Sequence, residues 1–199
     1  MRYNMQMECF SDKNAEFSEQ KNICDEDALL MRDAANGNDH AFRMLVEKWK
    51  NALINFFYRS TSNAATSEDL AQLTFINLYR AREKYQARAK FSTYLFQIAR
   101  NILINEYRQS SRRPQNVELE TDFTDDKNSD METSELEEIF ELVIADMPEN
   151  QRTAILLLKQ QGFTYDEIAK AMDASVGAVK TWIFRARTTL RNALKERKA

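Results

Sequence analysis

A chain of 199 residues allows one or two small domains, and 43% hydrophobic residues give each a modest core. Three glycines, two prolines, no long period-two alternation and no Asn-Gly or Asp-Gly turn argue against a sheet protein and for an all-α one. The net charge of −3 argues against a nucleic-acid partner only if averaged over the chain. Residues 28–113 hold 14 lysines and arginines against 7 acids, residues 114–150 hold 1 against 13, and residues 151–199 hold 10 against 4. Two basic blocks therefore flank an acidic one.

Residues 1–24 are polar and acidic, which predicts a weakly ordered tail and not a secretory signal. Cys9 and Cys24 lie in this segment without a nearby histidine, so they read as free thiols and not as a zinc site. No stretch of about eighteen apolar residues predicts a membrane span, and the cytoplasm is the expected location. A first helix is expected from about Asp27 to Asn36, stopped by Gly37. A second, capped by Asp39, carries Phe42, Leu45, Val46, Trp49, Leu53, Phe56 and Phe57 inward. His40 falls in its first turn, a surface position.

Thr66 or Ser67 is expected to cap a third helix, with Glu68 and Asp69 near its positive end and Leu70, Leu73, Phe75 and Leu78 buried. A fourth runs from about Ser92 to Ser111, with Leu95, Ile98, Ala99, Ile102 and Leu103 on one face. Across residues 79–108 cations interleave with aromatics. That mixture suits single-stranded nucleic acid, where rings stack on bases and cations follow phosphates. Solvated cations beside core aromatics are the alternative.

Residues 112–133 lack an apolar period and read as a flexible acidic linker. Ser134 and Glu137 form a capping box opening a helix to about Asp146. Pro148 begins the next helix at its favoured first-turn position, and Gly162 ends it.

Residues 162–187, GFTYDEIAKAMDASVGAVKTWIFRAR, carry the most information. Thr164 and Glu167 make a capping box, Ala169 permits close helix approach, Met172-Asp173-Ala174 is a short connection, and Ser175 caps the second helix. Val176, Val179, Ile183, Ala186 and Leu190 form its buried stripe, opposite Gly177, Ala178, Thr181, Phe184 and Arg185, with Lys180 on the flank. This is the layout of a helix-turn-helix, whose second helix enters the DNA major groove. An amphipathic hairpin with solvated cations is the plain alternative.

With these residues in place, the chain resembles the extracytoplasmic-function branch of the sigma-70 family, bacterial RNA polymerase sigma factors. SEDLAQLTF at 67–75, FSTYLFQIARN at 91–101 and the stretch from Pro148 to Arg187 carry the resemblance, in the family's order and spacing. It implies two small helical domains: region 2 over residues 25–112 and region 4 over 134–199, joined by the linker at 113–133. It also implies promoter-directed transcription initiation, of a stress- or envelope-responsive regulon. Glu68, Asp69 and Gln72 would meet the β′ clamp helices of core RNA polymerase, whose β subunit is also an implied partner. Lys84, Arg88, Lys90, Phe91, Tyr94, Asn101, Asn105 and Arg108 would serve the minus-10 element. The loop around 84–94 would hold a base flipped from the duplex. Ser175, Lys180, Thr181, Phe184, Arg185 and Arg187 would serve the minus-35 element.

Many relatives have tryptophan at the position of Tyr94, a cationic or polar residue at Trp182, and threonine at Ala178. An anti-sigma factor is a further implied partner. No cofactor, metal site or small-molecule substrate is expected. The carboxylates of the linker would not converge as a two-metal nuclease requires, and no enzyme chemistry is read from the chain. A stand-alone repressor and a protein-binding helical adaptor remain as alternatives, which co-purification with core polymerase separates.

Overall fold

The computed structural model describes residues 25–110 and 139–196, and every regular element there is helical. In chain order these are α1 (Glu26–Ala35), α2 (Asp39–Thr61), α3 (Ala64–Ala81), a single 3-10 turn (Arg82–Lys84), α4 (Phe91–Ser110), α5 (139–145), α6 (Glu149–Gln160), α7 (Tyr165–Ala171) and α8 (Val176–Glu196). The tail, the acidic linker and the Ser134–Glu137 capping box lie outside the described residues.

Helix starts follow capping chemistry, but two caps sit earlier than expected. The first orphan N–H groups of a helix need an acceptor, and the short side chain just upstream supplies it. Asp25 caps α1, one oxygen accepting from Asp27 N and the other from Phe91 N, the first amide of α4. Asp27 is buried, held by Lys48 Nζ at 2.6 Å and Trp49 Nε1 at 3.1 Å. Asn38 caps α2 through His40 N and Ala41 N, and Asp39 is its first helical residue. Asn63 caps α3 through Thr66 N. Neither Thr66 nor Ser67 is that cap. Ser67 is buried, its hydroxyl donating to Asn63 O at 2.6 Å. Each miss has one cause: several capping residues stood in a row, and the apolar period alone does not choose among them.

The apolar periods are satisfied at most positions. Leu45, Leu53, Phe56, Phe57, Leu70, Phe75, Leu78, Leu95, Ala99, Ile102 and Leu103 are buried. Leu73 is a correction: it is 41% exposed. It sits three residues after Leu70 and on the edge of the stripe, where Ala71 and Thr74 turn inward in its place.

The two basic blocks fold as two helical groups that pack on each other. Trp49 meets Phe96 edge-on at 6.2 Å, and Phe96 meets Phe163 of the second group at 5.6 Å. Lys90 Nζ pairs with Glu167 Oε1 at 2.7 Å. Arg152 Nη1 donates to Ser60 O at 2.6 Å and to the Tyr107 hydroxyl at 3.1 Å, while Tyr107 itself donates to Ser60 O. The other nitrogen, Nη2, donates to Ala145 O and Met147 O at the end of α5, where carbonyls lack helical partners. One guanidinium thus ties the α5–α6 corner to the ends of α2 and α4.

Candidate nucleic-acid and polymerase interface

The second group is a helix-turn-helix. Thr164 and Glu167 form the expected capping box: Thr164 N donates to Glu167 Oε2 at 2.8 Å, and Glu167 N donates to Thr164 Oγ1 at 3.3 Å. α7 ends at Ala171 with Met172 as its C-cap, and Asp173 takes a left-handed conformation, φ 49°, which an aspartate tolerates better than most residues. Ser175 Oγ then accepts from Ala178 N at 3.2 Å, capping α8. Ala169, Val179, Ile183 and Ala186 are buried, whereas Lys180, Thr181, Arg185 and Arg187 are exposed and Phe184 is 70% exposed. Burial of one stripe therefore leaves a cationic face with an unsheltered aromatic ring. Thr181 Oγ1 donates to Gly177 O at 3.0 Å, so its hydroxyl offers a neighbour lone pairs and not its proton. Trp182 is half-buried and packs on the core, away from that face.

In the first group, α3 presents a second face. Glu68, Asp69 and Gln72 are exposed, as are Leu73, Ile76 and Arg80. Asp69, Gln72, Leu73, Ile76 and Arg80 recur at spacings of three and four, so they form one stripe. The reading from sequence reached its polar members and missed Leu73 and Ile76. Two exposed branched side chains between charges on one helix face are the signal that would have found them.

The third surface is the segment from the 3-10 turn into α4. Lys84, Arg88 and Lys90 are exposed, and Asn101, Asn105 and Arg108 are exposed along α4. Phe91 departs from its expected role. It is fully buried, 6.3 Å from both the Tyr85 and Trp49 rings, and fixes the start of α4 from inside. Tyr94 is half-buried and lies 5.2 Å from Tyr85, and burial raises its hydroxyl pKa. The Tyr85 hydroxyl is pushed up to about 12, first by burial and then by the charge of Asp25. Both phenols are neutral at physiological pH and offer rings, not charge. Lys90 is committed to Glu167. Burial by itself would raise the Glu167 carboxyl, but the Lys90 ammonium and the Thr164 N–H and hydroxyl outweigh it and hold its pKa below the ordinary value.

Comparison with known proteins agrees with this geometry. Residues 45–113 match the family model Sigma-70 region 2, and residues 137–190 match Sigma-70, region 4. The ECF RNA polymerase sigma-E factor of Haemophilus influenzae is 32% identical over 180 residues, covering 84% of this chain and 95% of that protein. The RNA polymerase sigma-H factor of Pseudomonas aeruginosa is 30% identical over 182 residues, covering 85% and 94%. Among solved structures, CnrH in complex with the cytosolic domain of CnrY superposes with a TM-score of 0.67 at 25% identity, covering 86% of this chain and 99% of CnrH. The chain belongs to the sigma-70 family of RNA polymerase sigma factors, in its extracytoplasmic-function branch. Its function is that of a sigma factor in transcription initiation. No helix among the described residues is long and apolar enough to cross a membrane.

Proposed function

We propose that this chain acts in the cytoplasm, docks on core RNA polymerase through the α3 stripe and reads two promoter elements, contributing no catalytic group of its own. The β′ clamp helices would meet Glu68, Asp69 and Gln72, with Leu73 and Ile76 supplying apolar contact; the β subunit is a further polymerase contact. Lys84, Arg88, Tyr94, Asn101, Asn105 and Arg108 form the minus-10 surface, positioned by Phe91 behind it. Lys90 joins them once promoter phosphate replaces Glu167 as its partner. Lys180, Thr181, Phe184, Arg185 and Arg187 form the minus-35 surface, with Ser175 setting the entry angle of α8.

The observation that carries the reading is α8. Its stripe of Val179, Ile183 and Ala186 is buried while Lys180, Arg185 and Arg187 stay exposed beyond a properly capped turn. Arginine on such a face binds guanine edges or phosphate, and the threonine is short enough to reach a base edge or the backbone. The likeness to sigma factors solved with anti-sigma partners, CnrH with CnrY among them, supports an anti-sigma factor as a regulator of this chain as well. The stress- or envelope-responsive regulon is carried over from the family resemblance.

Reconstituted run-off transcription with core enzyme and a genomic promoter library tests the proposal. Defined transcripts that require both proteins are expected. Duplex binding without any dependence on core polymerase would favour a stand-alone repressor.

A further inference from the structure

Where the two helical groups meet, a cleft of about 400 Å³ opens between the start of α4 and α7. Its cations come from both sides: Lys84 and Arg88 from the first group, Lys170 from the second. All three are exposed, and none is paired with a carboxylate among the described residues. Their neighbours differ. Arg82 pairs with Glu83 at 3.5 Å, and Lys90 with Glu167 at 2.7 Å. No carboxylate lines the cleft; the remaining polar groups are the amides of Gln86 and Gln97 and the hydroxyls of Thr93 and Tyr94. Thr93 is 3% exposed and its Oγ1 has no hydrogen-bond partner. A bound polar atom in the cleft would satisfy such a buried hydroxyl.

Three like charges lining one cleft attract a multivalent anion, because a cleft focuses their field. Phosphate suits them: its oxygens accept from lysine and arginine together. Beside the cations lie the half-buried ring of Tyr94, which offers a stacking face, and two amides that can donate to and accept from a base edge. The volume of about 400 Å³ is enough for one nucleotide.

We propose that this cleft binds a free nucleoside monophosphate, with phosphate on Lys84, Arg88 and Lys170 and the base against Tyr94, and that the ligand fastens the two groups together. The site shares Lys84, Arg88 and Tyr94 with the minus-10 surface proposed above, but Lys170 belongs to it alone. A bound nucleotide would compete with promoter DNA for the first group and hold the chain in its packed arrangement.

Calorimetric titration of the full chain at low salt tests it, with GMP, inorganic pyrophosphate and guanosine as probes. GMP is expected to bind, guanosine not, and Lys170→Ala to weaken GMP at least tenfold, with Lys170→Arg restoring it. Circular dichroism confirms that the exposed substitution leaves the helices intact. Binding of pyrophosphate without GMP would overturn the nucleotide assignment. GMP binding unchanged in Lys170→Ala would overturn the placement across two groups. No binding of either anion would overturn the site. Run-off transcription measured beside the titration keeps the two readings apart: a chain that transcribes with core polymerase but does not bind GMP overturns the cleft alone.

Discussion

At the residue scale, the exposed face of α8 separates contacts that specify sequence from contacts that only hold DNA. Arg185 is exposed opposite the Val179–Ile183–Ala186 stripe and Lys180 is exposed on its flank, so truncating either removes a contact without opening the core. Arg185→Ala is expected to reduce promoter use through the upstream element. A base-reading contact costs about 1–3 kcal/mol at particular positions, whereas a phosphate contact weakens all sequences alike and lowers the salt slope. Transcription from a panel of upstream-element variants, with Lys180→Ala alongside, distinguishes them; no change on any variant would remove this face from the reading. Gly177 gives a second residue-scale test. A Cβ built there meets only Ser175 Oγ, at 3.9 Å, and the residue is helical, so neither crowding nor a left-handed backbone demands glycine. Gly177→Ala is therefore expected to stabilise the chain by about 0.4–1 kcal/mol through the unfolded state, read from urea unfolding. A loss of stability would mean that the backbone here is under a constraint that the helix geometry does not reveal.

At the element scale, α3 carries the cleanest separation of roles. Leu70, Ala71, Thr74, Phe75 and Leu78 face the core while Asp69, Gln72, Leu73 and Ile76 face out. Asp69→Ala with Gln72→Ala is expected to weaken capture of core polymerase while shifting stability by no more than about 0.5 kcal/mol, as exposed substitutions do. A pull-down at fixed core concentration, with circular dichroism as the folding control, gives the result; undiminished capture by the folded double variant would count against docking through this face. Adding Leu73→Ala should deepen the loss, because exposed apolar side chains inside a charged rim commonly anchor an interface. Much of this was legible in the sequence, since a helical period and a capping signature are local properties. The 164–167 capping box, the three-residue turn and the α8 stripe could all be read along the chain. The α3 cap at Asn63 and the burial of Asp27 could not. The first needed a choice among adjacent polar residues. The second depends on Lys48 and Trp49, more than twenty residues away. The family resemblance put Phe91 at the minus-10 element, yet its ring is buried in the core while Arg88 and Lys90 beside it are exposed.

At the scale of the whole molecule, the packing of the two helical groups was not legible at all, because a charge pattern gives the sign of each block but not the geometry of their meeting. The linker at 113–133 puts seven carboxylates between the two basic blocks, a pattern that says nothing of a contact between them. What the described residues contain is a direct contact, built from Phe96 on Phe163, the Arg152 node and the Lys90–Glu167 pair. Of these, the ion pair is the part that pH can address. Glu167 has a lowered pKa in the folded chain, so its contribution is complete above the unfolded value of about 4.3 and is lost as pH falls through the folded value. Glu167→Gln isolates it, because glutamine at the third helical position still completes a capping box with Thr164 while giving up the charge that Lys90 meets. The variant is expected to be less stable than wild type at pH 7 by about 1 kcal/mol or less, the range of partly exposed pairs. The gap should close on acidification, since protonated glutamate and glutamine then offer Lys90 the same neutral partner. Urea midpoints of both proteins between pH 7 and pH 3 give the curve. Small-angle scattering at pH 7 gives the companion result: if the pair helps hold the groups together, the variant's radius of gyration exceeds that of wild type, and Arg152→Ala in the same background widens it further by removing the tie from Ser60 and Tyr107 to α6. A gap in stability that persists unchanged at pH 3 would show that glutamine disturbs the α7 cap and not the contact between the groups.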